Sequence, residues 1–133
     1  MKYLLDTHVF LWSLLETKEI PKQTIKEIKN PNNEIYVSSV SLWEISIKTR
    51  INKLKLEGIA IEDLAGNIEK LAYRVITMTA EDALGYCNLA ESTHKDPFDR
   101  MLIWQCISRN ITIISKDSEF GKFIPYGLKV LWK

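Results

Sequence analysis

Asp6, Glu44, Asp99 and Asp117 are the residues of this chain whose types and spacing could do chemistry together. Asp6 comes directly after the apolar, strand-like run Lys2-Tyr3-Leu4-Leu5, and Asp117 follows the run Ile111-Thr112-Ile113-Ile114. Glu44 and Asp99 each fall in the first turn of an expected helix that follows a strand or a loop. If the strands run parallel, all four face one edge of the sheet. Carboxylates gathered there repel and raise one another's pKa values unless a divalent cation holds them ionised. Hard oxygen donors suit Mg²⁺ or Mn²⁺. Mg²⁺ takes few carboxylates from the protein and leaves positions open for a phosphodiester. A cation so held activates water for in-line displacement at phosphorus.

Each acid also has a purely structural reading. Ser41-x-x-Glu44 has the form of a capping box, and Asp96 with Asp99 has the form of an N-cap and its partner three residues on. Thr79-x-x-Asp82 has the same form and is assigned no chemistry. Acids favour first turns because of the helix dipole alone. Asp6 and Asp117 are harder to explain in this way, because an acid ending a buried strand loses solvation unless something compensates it. An Asx-turn or a cap is the alternative. The joint placement at one edge carries the argument more than any single spacing does.

The elements that must position these acids follow from apolar periodicity. A strand over 2–5 leads into a helix over 8–16, and a second helix runs from Pro21 to Asn30, opened by its proline and stopped before Pro31. Ile35-Tyr36-Val37 is a strand, and Leu42, Trp43, Ile45, Ile47 and Ile51 belong to a broadly apolar helix. A helix over 61–73 weakened by Gly66, a strand over 75–78 and a helix over 79–92 come next. Asp96-Pro97 opens a strongly apolar helix through Ile107. The strand over 111–114, a short piece to Phe123 and a last strand over 129–132 complete the chain. This alternation predicts an α/β fold whose central, mainly parallel sheet of about four or five strands carries helices on both faces, with ligands bound beyond the carboxyl ends of the strands.

With 133 residues, 46% hydrophobic and 26% charged, the composition fits one ordinary globular domain that needs no disulfide or structural metal. The net charge of +1 neither announces nor excludes a nucleic-acid partner. Cys87 and Cys106 show neither CxxC nor zinc spacing, and the N-terminus is neither a secretory leader nor a membrane span, so a reduced cytoplasmic protein with no membrane partner is expected. Lys48, Arg50, Lys53 and Lys55 read as a solvated face or a backbone-contacting stripe. Trp12, Trp43, Trp104 and Trp132 read as core or a dimer face sooner than as base-stacking groups. His8 and His94 read as structural.

The segments LLDTH at 4–8, SSVSLWEISIK at 38–48, HKDPFDRMLIWQC at 94–106 and IISKDSEF at 113–120 resemble, in order and over essentially the whole chain, the PIN-domain ribonucleases, and among them VapC-type toxins of bacterial toxin–antitoxin pairs. The resemblance implies a single three-layer α/β/α domain over 1–133. It further implies Asp6, Glu44, Asp99 and Asp117 as catalytic and metal-binding residues, Asp6 and Asp99 foremost. Mg²⁺- or Mn²⁺-dependent cleavage of RNA, a homodimer and inhibition by a cognate antitoxin are implied with them. Ser115 stands where many relatives carry threonine and keeps the hydroxyl. Asp96 reads as helix cap, or as a carboxylate behind the site. Arg100 suits a site carboxylate, a phosphate or a structural role.

Two other readings compete with this one. A dehalogenase-like phosphatase calls for a second Asp two residues after the first, where His8 stands, and a receiver domain calls for paired acids at its first strand. A catalytically silent PIN-like module that only binds RNA or protein would retain the fold without the chemistry.

Overall fold

The computed structural model describes residues 1–133. Its strands are β1 (Lys2–Leu5), β2 (Glu34–Ser38), β3 (Arg74–Ile76), β4 (Thr112–Ile114) and β5 (Lys129–Leu131). Its helices are α1 (Thr7–Leu15), α2 (Lys22–Lys29), α3 (Ser39–Arg50), α4 (Leu64–Lys70), α5 (Ala80–Gly85) and α6 (Pro97–Arg109), with short 3₁₀ pieces between them. All five strands are parallel, in the order β3-β2-β1-β4-β5. The chain therefore winds outward from β1 in one direction and from β4 in the other. The crevice between β1 and β4, where the winding reverses, is where such sheets bind ligands.

Strand side chains alternate between two cores, as the pleat requires. Tyr3, Leu5, Val37 and Ile114 join Val9, Phe10, Ile28, Ile45 and Ile68 on one face. Leu4 and Ile113 join Val40, Leu102, Ile103, Cys106, Phe120 and Phe123 on the other. Helices thus cover both faces, and β1, central and hydrogen-bonded on both sides, is apolar from Tyr3 to Leu5 because it meets no solvent.

Several element boundaries differ from those expected. The helix expected over 79–92 stops at Gly85, tightens to a 3₁₀ turn over Tyr86–Asn88 and gives way to a loop. Gly85 lies so close to α6 that a Cβ there would sit 2.8 Å from Trp104 Nε1. The helix expected over 61–73 is a 3₁₀ turn followed by α4, which ends at Lys70, and the chain then reverses at Ala72, whose φ is 58°. β3 ends at Ile76, where its partner strand ends at Ser38.

A buried polar relay ties the two halves together. Ser38 Oγ donates to Gln105 Oε1 at 2.6 Å, Gln105 Nε2 donates to Asp82 Oδ2 at 3.1 Å, and the Arg109 guanidinium donates to both oxygens of Asp82 at 2.9 Å. Asp82, the acid assigned no chemistry, caps α5 in a reciprocal box with Thr79 and anchors α6 through Arg109.

Gly85 and Gly66 give opposite expectations for alanine. Gly85→Ala should cost about 1–2 kcal/mol through the clash with Trp104. Gly66→Ala, in α4 with nothing within 4 Å of the new Cβ, should gain about 0.5–1 kcal/mol. Urea unfolding midpoints of the two variants check both signs.

Candidate active site

At the carboxyl end of β1, Asp6 is 8% exposed. It caps α1: the Thr7 N–H donates to Oδ1 at 2.8 Å, while Ser115 Oγ, from the end of β4, donates to Oδ2 at 2.8 Å. Ser115 Oγ also accepts from the Asp117 N–H at 3.1 Å. One hydroxyl therefore fixes both strand-end acids, and Asp117 in turn caps the next 3₁₀ turn by accepting from the Glu119 N–H. Both acids therefore serve as caps, and the same geometry leaves them facing a common space.

The α3 acid is held differently from the sequence expectation. The cap of α3 is Ser38, not Ser41. Ser41 Oγ instead accepts from Thr7 Oγ1 at 2.9 Å, and Thr7 Oγ1 lies 2.6 Å from Glu44 Oε1. The helix starts three residues earlier because Ser38 ends β2 and turns the chain directly, which moves Glu44 beyond the first turn and onto the face that looks toward α1. Lys48, one turn on, donates to the other oxygen of Glu44. That hydrogen bond, with the charge of Glu44 and then of Asp96 and Asp99, raises the Lys48 pKa against the opposing effect of burial. Glu44 is 4% exposed, so the ion pair offsets a carboxylate that burial would otherwise leave unsolvated.

Asp99 lies in the first turn of α6, which Asp96 caps by accepting from the Asp99 N–H at 2.9 Å. Its Oδ2 is 3.0 Å from His94 Nε2. His94, expected only as a structural residue, is set edge-on against Phe120 and Phe123 and presented by the loop before α6. Arg100 holds that loop. Its Nη1 donates to the carbonyls of Glu91 and His94, its Nη2 to that of Leu89 and its Nε to Tyr86 Oη, with the Phe123 ring 5.9 Å from the guanidinium carbon. Of the roles open to it in the sequence, Arg100 takes the structural one.

Asp6, Glu44, Asp99 and Asp117, with Asp96, line one cavity of about 460 Å³ together with Thr7, His8, Val9, Trp12, Lys48 and Lys116. Burial pushes the Asp6 carboxyl above its ordinary range, against hydrogen bonds from Ser115 and Thr7 that draw it down. Asp99 is pushed up to about 7, chiefly by loss of solvation; the His94 hydrogen bond opposes this, and repulsion from Asp6 and Asp96 adds to it. No three His, Cys, Asp or Glu side chains close into a ready-made coordination shell. The donors are hard carboxylate oxygens around an open space, which fits a cation that keeps part of its hydration.

Thr7 is not singled out in the sequence, and Lys48, Ser115 and His94 read there only as part of a basic stripe, as a retained hydroxyl and as structural. The Glu44–Lys48 spacing of one helical turn was the available signal for Lys48; nothing local pointed to Thr7, whose partners are more than thirty residues away. Of the basic run, only Lys48 reaches the acid cavity, while Arg50, Lys53 and Lys55 are exposed. Trp12 and Trp132 pack against the first core and Trp104 against the second. Trp43, expected in the core or a dimer face, is 58% exposed and edge-on to Phe98 at 5.4 Å.

A raised folded-state pKa at a carboxyl means that the folded protein holds a proton the unfolded chain has released. Between about pH 4 and about pH 7 the metal-free protein should therefore lose stability as pH rises. Asp99→Asn should shrink that slope and be the more stable protein at pH 8, as urea midpoints across this range would record. Arg100→Ala should free the 89–94 loop, seen as faster amide exchange there, with about 2 kcal/mol of destabilisation.

No individually curated protein matches the chain. Among solved structures, VapBC2 from Rickettsia felis, bound to a DNA fragment from its promoter, is similar at a TM-score of 0.70 and 20% identity, with 100% of both chains covered. VapBC-1 from nontypeable Haemophilus influenzae is similar at 0.69 and 20%, covering 98% of this chain and 97% of that one. VapBC-5 from Mycobacterium tuberculosis is similar at 0.61 and 18%, covering 99% and 98%. The PIN domain model matches residues 3–123, a span that holds all four acids and, apart from Lys2, every strand but the last. On that match, and with a parallel sheet whose β1 and β4 are each followed within three residues by an acid at the reversal of its winding, this chain belongs to the PIN domain family.

Proposed function

We propose that the chain, as one PIN domain over 1–133, is a divalent-metal-dependent endoribonuclease and the toxin of a VapBC-type toxin–antitoxin pair. Asp6, Glu44, Asp99 and Asp117 are its catalytic and metal-binding residues. The observation that carries the reading is the convergence, on one cavity, of four carboxylates contributed by four separate elements.

Mg²⁺ or Mn²⁺, when bound, supplies a Lewis acid for the scissile phosphate and lowers the pKa of an attacking water. The chain's own groups prepare the place. Asp6 and Asp99, the two acids whose pKa values are raised, are those whose ionisation gains most from a nearby cation. Thr7 and Ser115 hold Glu44 and Asp6 against rotation, and His94 orients Asp99. Lys48 neutralises Glu44 at the wall of the cavity, which lowers the cost of bringing a polyanion to an acidic site.

The antitoxin partner and the toxin role are supported by the VapBC structures that share this fold. A homodimer and a cytoplasmic setting belong to the same proposal. No helix is long and apolar enough to cross a membrane.

Incubation of cellular RNA with purified protein should give cleavage with Mg²⁺ or Mn²⁺ and none with EDTA. Asp6→Asn should lose at least about a hundredfold in rate, as expected for a ligand to a catalytic ion. Its unfolding midpoint should stay near wild type, because asparagine can still accept from the Thr7 N–H and pair with the Ser115 hydroxyl. Equal cutting by both proteins would reject the assigned site. Metal-independent silence alongside intact RNA binding would favour the non-catalytic module.

A further inference from the structure

The cavity that holds the acids has a second wall that the proposed chemistry leaves unused, made by His8, Trp12 and Lys116. His8 and Trp12 are one turn apart on α1, with ring centroids 5.9 Å apart and planes tilted by only 35°. Lys116, in the loop between Ser115 and Asp117, places its Nζ 5.8 Å from the centre of the indole. His8 and Lys116 are exposed, and Trp12 is half-buried, braced from behind by Trp132 at 6.1 Å.

Lys48, the other lysine of this cavity, is committed to Glu44, whereas Lys116 takes part in none of the chain's ion pairs. A cation without a carboxylate partner in a cavity lined by five acids is available to an anion from outside. Core packing accounts for the inner edge of Trp12, which touches the first core. It accounts neither for the exposed imidazole set against the indole at a 35° tilt nor for the ammonium 5.8 Å from the ring centre. The strip starts two residues after Asp6 and extends from His8 to Trp12, about 6 Å along the helix axis.

We propose that His8, Trp12 and Lys116 form a nucleotide shelf. An unpaired base adjoining the cleaved phosphodiester stacks on the His8–Trp12 pair, and Lys116 contacts the neighbouring phosphate. This rests on the nuclease reading and sharpens it, because a base can stack on a side-chain ring only when it is splayed out of a duplex. The substrate is therefore unpaired RNA, and the shelf acts in binding it.

The test uses the full chain and a short single-stranded oligoribonucleotide carrying 2-aminopurine, free or annealed to its complement. Wild-type protein with Mn²⁺ should quench the 2-aminopurine and cleave the single strand, and should act at least about tenfold more slowly on the duplex. Trp12→Leu should abolish the quench and raise KM about tenfold or more, with a much smaller change in kcat, and Trp12→Phe should recover most of the loss. Lys116→Ala, an exposed substitution that leaves the core untouched, should raise KM and reduce the salt dependence of binding by about one phosphate contact. Normal cleavage and quenching by folded Trp12→Leu and Lys116→Ala would overturn the shelf and leave the nuclease standing. Absence of cleavage by the wild type would count against the nuclease reading instead. In that case a quench retained by wild type and lost in Trp12→Leu would still support the shelf, and no quench by wild type would overturn it.

Discussion

A carboxylate buried at the end of a central strand sets the terms for the rest of this structure. Asp6 leaves β1 where the sheet changes its direction of winding, with strands on both sides and little solvent. Removing an ionised carboxyl from water costs several kcal/mol unless hydrogen bonds or charge replace the lost solvation. The Thr7 N–H and the Ser115 hydroxyl provide part of that replacement and, in doing so, fix the carboxylate against both α1 and the end of β4. Helix start, strand end and site geometry are thus set by the same two hydrogen bonds.

The other acids repeat this economy with different partners. Asp96 and Asp117 satisfy backbone donors at helix starts while lining the cavity. Asp99 lies within the first turn of its helix and relies on His94. Capping and chemistry are therefore not rival accounts of these residues. The N-terminus of a helix after a parallel strand offers unpaired N–H groups and a favourable dipole, so an acid is stable there and also faces whatever binds at the edge. Asp82, which has the cap but faces α6, shows that the direction the helix faces, and not the cap, separates the two cases.

Behind the edge, polar contacts between elements distant in sequence keep the acid-bearing helices in register. The Ser38–Gln105–Asp82–Arg109 relay couples the start of α3 to α6 across the second core, and Arg100 pins the loop that delivers His94. These groups are buried or half-buried and nearly all are paired; Thr49 Oγ1 is the one buried side-chain polar atom without a partner. A site built this way depends on residues that touch no substrate.

Much of this was legible in the sequence by itself. The apolar runs before Asp6 and Asp117, the Asp96-Pro97 start of α6 and the alternation of strands with helices determined the fold class and the edge on which the acids lie, because pleat, helical period and capping are local rules. Contacts made across the chain were decided only by the tertiary structure. Ser41 has the sequence form of a cap, yet it faces Thr7 once β2 runs on to Ser38. The helix expected through Ser92 ends at Gly85, where α5 meets Trp104 of α6. His94 and Lys116 gain their places by meeting Asp99 of α6 and Trp12 of α1, and Trp43 stays exposed despite its apolar neighbours. Local pattern dictates which element forms and which way it is amphipathic. Which side chains then lie within hydrogen-bonding distance depends on how those elements pack, and that is a property of the whole chain.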